Sequence, residues 1–151
     1  MKNVIIFAVA TRRYALELRW VTEVVSLGFV TPVPGAPPAF AGVTSLHGVI
    51  TPVLRLGVLL GDDDIEDRHA QSTPRGAGDS AILLQVEAVA AALLISKVDE
   101  VATLRDVQPG RELRDSTGRS LRMLDPPSLI SRALAAVHES AGRMGALRGV
   151  G

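Results

Sequence analysis

The sequence predicts a mainly β protein, and three observations carry that reading. Turn signals recur every eight to twelve residues along much of the chain. Between them lie short apolar or alternating runs, among them Val4–Val9, Tyr14–Leu18 and Leu121–Leu124, of strand length rather than helix length. No internal repeat of fixed period is visible, so a solenoid or propeller is not indicated.

Each element follows from its residues. Val4-Ile5-Ile6-Phe7-Ala8-Val9 reads as a strand, Ala10-Thr11-Arg12-Arg13 as a break, and Tyr14–Leu18 as a second strand alternating with period two. Together they form a hairpin with a polar turn. Trp20, Val21, Val24 and Val25 are spaced to give one or two helical turns with one buried face. Leu27–Pro38 carries four prolines and must be an extended connection. Gly42–Leu54 reads as two short strands bent at glycine, and Pro52 suggests a sheet edge or strand end. Leu56–Leu60 makes a short helix closing on Gly61. Asp62–Asp79 shifts to polar turn residues and reads as a mobile loop. The apolar residues from Ile82 to Ile95 leave helix and hairpin both open: alanines favour a buried helix, the interruption at Glu87-Ala88 a hairpin. Asp115–Arg119 is a strong turn signal before the strand at Leu121. Ser128–His138 has helical spacing, with Ser128 as its N-cap, and the glycines from Gly142 to Gly151 predict a fraying end. One domain over residues 1–138, with a flexible tail at 139–151, is therefore expected.

Composition removes several function classes. Sixteen basic residues balance sixteen acidic ones, so the excess positive charge usual for phosphate-backbone binding is lacking and no nucleic-acid partner is expected. Five aromatics leave few rings for base stacking. Absence of cysteine rules out disulfide staples, zinc fingers and iron–sulfur ligation. An apolar content of 47% argues against disorder. The N-terminus lacks the long apolar core of a signal peptide, and the longest apolar stretch falls short of the roughly 20 residues that span a bilayer. A soluble cytoplasmic chain without membrane insertion is expected. Fourteen of the sixteen basic residues are arginines, scattered along the sequence.

Catalytic chemistry finds little support. His47, His69 and His138 have no paired spacing that would make a metal site. The acidic run Asp62-Asp63-Asp64 lacks the alternating ligands, central glycine and closing glutamate of a calcium loop, and reads as a solvated loop. There is no phosphate-cradling glycine motif and no nucleophile elbow. Neither enzyme activity, metal nor cofactor is predicted. Such a chain acts through its surface.

The segment Val33-Pro34-Gly35-Ala36-Pro37, followed by Gly42-Val43-Thr44-Ser45-Leu46-His47-Gly48 and Thr51-Pro52-Val53, resembles the CheW-like family of chemotaxis coupling proteins. That family's pattern is a proline-rich turn, then Gly-Val-x-x-Leu-Arg-Gly, then Pro-Val. Upstream, Val21-Thr22-Glu23-Val24 resembles its Val-x-Glu-Val turn. Downstream, Ile82–Leu104 resembles its paired strands, and Gly118–Asp125 its closing strand. The similarity spans about residues 4–134. It implies two small five-stranded β-barrel-like subdomains with a few short helices, and it makes Ile82–Val86 and Val89–Ile95 a hairpin. It also implies a non-enzymatic, monomeric scaffold recruited to membrane-associated receptor arrays. Its partners would be the regulatory domain of a CheA-type histidine kinase and the cytoplasmic tip of a chemoreceptor.

Carried over residue by residue, the resemblance implies partner contacts at Val21, Glu23 and Val24 and along Gly42, Leu46, His47 and Gly48. The structural alternatives are a core valine, a solvated glutamate, backbone-driven glycines and a histidine bonded to local backbone. Three positions depart from the pattern. His47 stands where the family has arginine, exchanging a permanent five-donor fork for an imidazole that titrates near neutrality. Arg55 and Ser96 stand where aspartate is common. The stretch 109–118 is short, so the second subdomain is expected to be trimmed. Two other readings fit these departures: an accessory or competing CheW-like protein of another signalling array, or a β-barrel binding a small ligand.

Overall fold

The computed structural model describes residues 1–61, 79–105, 108–115 and 117–148, the last nine as backbone alone. Ten strands and two helices are present among them, with a 3-10 turn at Leu18–Trp20. The strands are β1 (Lys2–Val9), β2 (Arg12–Glu17), β3 (Val21–Ser26), β4 (Phe40–Leu46), β5 (Val49–Leu54), β6 (Ser80–Val86), β7 (Val89–Ile95), β8 (Lys97–Leu104), β9 (Glu112–Arg114) and β10 (Ser120–Met123). Helix α1 covers Leu56–Leu59 and α2 covers Pro126–Arg148.

Two five-stranded sheets result, ordered β8-β1-β2-β10-β9 and β3-β6-β7-β5-β4. Their wiring is the same. Each has a central antiparallel hairpin, β1-β2 or β6-β7. The first strand of that hairpin takes an antiparallel neighbour, β8 or β3, and the second pairs in parallel with one strand of another hairpin, β10 or β5. The pairing of Ile82 with Leu93 confirms the hairpin turning at Glu87-Ala88, where Glu87 takes φ 51°.

Packing explains why the central strands read as unbroken apolar runs. In β1, Ile5, Phe7 and Val9 face a large core shared by both sheets and both helices, while Val4 and Ile6 face a second cluster with Ala15, Leu121 and Met123. In β7, Ala91, Leu93 and Ile95 belong to the shared core, and Ala92 and Leu94 to a third cluster with Leu27, Val30, Ala41, Val53 and Ala81. Each sheet therefore curls over its own small core and packs its other face against its neighbour. A strand buried on both faces needs apolar residues at every position. Phe7 and Tyr14, directly opposed across β1-β2, stack with ring centroids 5.9 Å apart in the shared core.

Several sequence expectations change. The stretch from Arg19 is helical only as the 3-10 turn, and Val21–Ser26 is a strand. β-Branched Val21, Thr22, Val24 and Val25 suit a pleated surface, and pairing with β6 outweighs the helix-like spacing. Pro52 lies in β5, which has neighbours on both sides. It is tolerated because β7 pairs with β5 only from Val53 onward. The first sheet is not trimmed in strand number: the short stretch supplies β9, only three residues long. Helix α2 starts at Pro126, two residues before Ser128, with the Leu129 N–H donating to the Asp125 carbonyl. Proline suits a first helical turn because it has no N–H to leave orphaned. The helix then runs to Arg148, through most of the stretch expected to fray. The expected loop at 62–79 lies outside the described residues except for Asp79, whose carbonyl accepts the Leu27 N–H at 2.6 Å.

Neither sheet closes into a barrel, and the fold-back of the connection after β3 onto β4 depends on Gly42. The chain leaving β3 returns alongside β4, and Thr31 and Val43 exchange backbone hydrogen bonds of 2.8 and 2.9 Å. Gly42 sits beside that bridge with φ 149°, and a Cβ there would lie 2.3 Å from the Thr31 carbonyl oxygen. Gly48 is different: it has φ 77° with open space around it. Gly42→Ala should lower the urea unfolding free energy by about 2 kcal/mol or more, because backbone must move as well as strain. Gly48→Ala should cost only about 1 kcal/mol.

Candidate partner-binding surface

The turn between β4 and β5 is His47-Gly48, and both residues have positive φ, 51° and 77°. That is a type I′ hairpin turn, whose twist matches the flanking strands. It projects the His47 ring to the surface, with the side chain 72% exposed. β3 and β4 are opposite edges of their sheet, yet the curl brings Glu23 of β3 to the turn. His47 Nε2 and Glu23 Oε1 are 2.5 Å apart, a ring N–H donating to the carboxylate. Two residues implied separately as contacts thus form one pair, and His47 bonds a carboxylate rather than local backbone.

The other implied residues divide. Val24 is outward and 46% exposed, whereas Val21 packs half-buried against the shared core. Leu46 packs against the third cluster. Gly42 is buried, and its backbone role is the one described above. Gly48 serves the turn.

Sequence reasoning missed the apolar residues around this turn. Phe29 is 80% exposed, Ile50 68% and Val49 61%. Ser45 pairs with Ile50, so both lie on the exposed side of the β4-β5 ribbon. The connection carrying Phe29 bridges to β4 at Thr31–Val43, and the Thr44 hydroxyl donates to the Phe29 carbonyl at 2.9 Å. Phe29 and Ile50 are thus exposed on the segments that flank β4. Alternation in β5 carried the signal, since Thr51 and Val53 point inward and Ile50 must then point out.

The two acid-replacing departures are structural. The Arg55 guanidinium donates to the carbonyls of Pro38 (2.9 Å) and Phe40 (3.4 Å), holding the proline-rich connection against the start of α1. Ser96 Oγ accepts the Ala10 N–H at 2.9 Å, pinning the β1-β2 turn, where Ala10 has φ 52°.

Two carboxylates are held ionised elsewhere. Glu17 is 4% exposed, with Lys2 Nζ and Arg19 Nε each 2.6 Å away. Burial pushes the Glu17 carboxyl upward, but the two cations together set it below the usual range. Asp115 is held well below that range, first by the Thr117 hydroxyl and then, against its burial, by Arg13 and the backbone N–H groups of Arg119 and Thr117. Arg13 also bonds Asp99 at 3.0 Å, which ties β2, β8 and the end of β9 together. Among the described residues, no three His, Asp or Glu side chains converge as a metal site requires.

The CheW-like domain family matches residues 3–133. The chain belongs to that family. Among solved structures it is similar to the scaffolding protein TtCheW from Thermoanaerobacter tengcongensis, at 21% identity and a TM-score of 0.65 over 82% of this chain and 84% of that one. No curated protein sequence matches. Family membership makes the chain a CheW-like adaptor of the chemotaxis type. Among the described residues, no helix of this CheW-like chain is long and apolar enough to cross a membrane.

Two outcomes are expected. An exposed contact of this kind adds little stability, so a double-mutant cycle on Glu23→Ala and His47→Ala should give a coupling below about 1 kcal/mol in urea unfolding. The depressed carboxylates of Glu17 and Asp115 contribute stability that is complete above the unfolded carboxylate range, near pH 4, and is lost as pH falls below it. The deficit of Asp115→Asn relative to wild type should be largest at neutral pH and shrink towards pH 3. An equal deficit at both would show that the Asp115 charge is not the stabilising element.

Proposed function

We propose that this protein is a non-enzymatic scaffold that couples the regulatory domain of a CheA-type histidine kinase to the cytoplasmic tip of a chemoreceptor. The observation that carries the reading is the exposure of Phe29, Val49 and Ile50 on the segments flanking β4, beside the Glu23–His47 pair at the adjoining turn. Scattered exposed apolar residues are ordinary, but three large ones around one turn suit a docking surface. Family membership supplies the signalling context. The scaffolding name of TtCheW supports the same role by likeness of fold.

In this mechanism these apolar side chains are desolvated against a helical or β partner surface and give the affinity. The Glu23–His47 pair beside them fixes orientation. Rim charges govern approach and register more than binding strength. With no net charge on the chain, long-range steering is weak, and affinity rests on this local surface.

Calorimetry with the cognate kinase regulatory domain and a receptor-tip fragment tests the reading. Wild type should bind at about micromolar strength. Ile50→Glu with Phe29→Glu should weaken at least one partner by tenfold or more, since a charge buried at an interface centre lacks a counterion. Glu23→Lys should lower affinity while the melting temperature stays unchanged. Absence of heat and of complex with both partners would end the scaffold reading, and retention of every partner by Glu23→Lys would remove Glu23 from the site.

A further inference from the structure

We infer that the cleft between the start of β2 and the β9-β10 hairpin binds a small phosphate-bearing ligand, through Arg119 and Arg122 with Arg12 beside them. The cleft holds about 710 Å³ and is lined by Arg12, Arg13, Arg119, Arg122, Glu112 and Gly110, among others. The fold gathers arginines that are far apart in sequence. The parallel pairing of Arg122 with Tyr14 brings β10 alongside β2, and the tight turn at Gly118 brings Arg119 to the same end. Leu121 and Met123 point into the core, so Arg122 between them must face outward.

The charge balance singles the cleft out. The whole chain is neutral, yet Arg119 and Arg122 line this cleft beside Arg12 and Arg13, and Glu112 is the one acid in its lining. Arg13 is committed to Asp99 and Asp115. Asp115 is in turn saturated by Thr117 and the backbone N–H groups of Thr117 and Arg119. Among the described residues, neither the Arg119 nor the Arg122 guanidinium has a carboxylate within 4.0 Å, so both are available. Guanidinium forks present parallel N–H pairs that fit phosphate oxygens and stay charged at every physiological pH. Gly110 adds backbone that a ligand can approach closely, with no atom within 4 Å of where its Cβ would be.

Size and shape favour a small molecule over a macromolecule. The volume is that of a metabolite site, and arginines reach it from both β2 and the β9-β10 turn. A nucleic acid would call for a basic stripe and excess charge on the whole chain, which is neutral. The site is separate from the scaffold surface, which lies on the other sheet, so the two readings stand or fall independently.

Isothermal titration of the full chain at low salt with ADP, with inorganic pyrophosphate and with an oligoglutamate peptide tests the inference. ADP or pyrophosphate should bind with a dissociation constant below about 1 mM. Arg119→Ala combined with Arg122→Ala should weaken that binding by about tenfold or more, while Arg19→Ala, outside the cleft, should leave it unchanged. Circular dichroism should be the same for all variants, because both replaced side chains are exposed. The inference is overturned if neither phosphate compound binds at about 5 mM, or if the double variant binds as wild type does. Binding of oligoglutamate alone overturns it as well and gives the cleft to an acidic protein partner.

Discussion

Burial of four central strands on both faces is the constraint from which the rest of the architecture follows. β1, β2, β6 and β7 each send alternate side chains into the shared core and into a smaller cluster behind it. Each buried aliphatic side chain contributes on the order of 2 kcal/mol. Such a strand cannot lie at an edge or face water. It forces antiparallel and parallel neighbours onto both sides, and those neighbours become the outer strands. Apart from Glu17, polar residues in these strands sit at their ends, and the rest gather on the outer strands and the turns. Surfaces available to partners and ligands are therefore built from the outer elements and from the exposed ends of the central strands.

How much of this could be read in the residues depended on which faces were buried. Alternation in Tyr14–Leu18 and Leu121–Leu124 located β2 and β10. Ile82–Ile95 defeated periodicity because burial on both faces erases the alternation that would distinguish strand from helix. Resemblance to the CheW-like family resolved it correctly. The opposite error occurred at Val21–Ser26, where apolar spacing imitates a helical turn although β-branched side chains and pairing to β6 make a strand. Glu23 and His47 were each legible as candidates, but their contact was not. It arises from a sheet edge curling back to meet a turn 24 residues away. The arginines looked scattered because parallel pairing of β10 with β2, about a hundred residues apart, has no local sequence signature.

The departures from the family pattern sort by what their side chains touch. Arg55 and Ser96 satisfy backbone groups at turns, and their consequences are local. His47 differs, because its ring ends at the surface on a carboxylate of another strand. An arginine at this turn would hold Glu23 through a fork of donors. A histidine holds it through one nitrogen, leaving the carboxylate freer to change partner. The substitution therefore changes an exposed contact rather than the packing of the core.

The return of the chain after β3 links that exposed surface to the core. The connection bridges to β4 at Thr31–Val43 only because Gly42 has no side chain, and the Thr44 hydroxyl holds the Phe29 carbonyl beside the same strand. Leu27 and Val30, flanking Phe29 in sequence, are buried in the cluster behind the sheet. The segment is thus anchored inward at two positions, and Phe29 is driven outward between them. Its exposure is not slack in an irregular connection. It is the outcome of local geometry that buries its neighbours, and removing Phe29 would cost the fold little while removing the most exposed of these three apolar side chains.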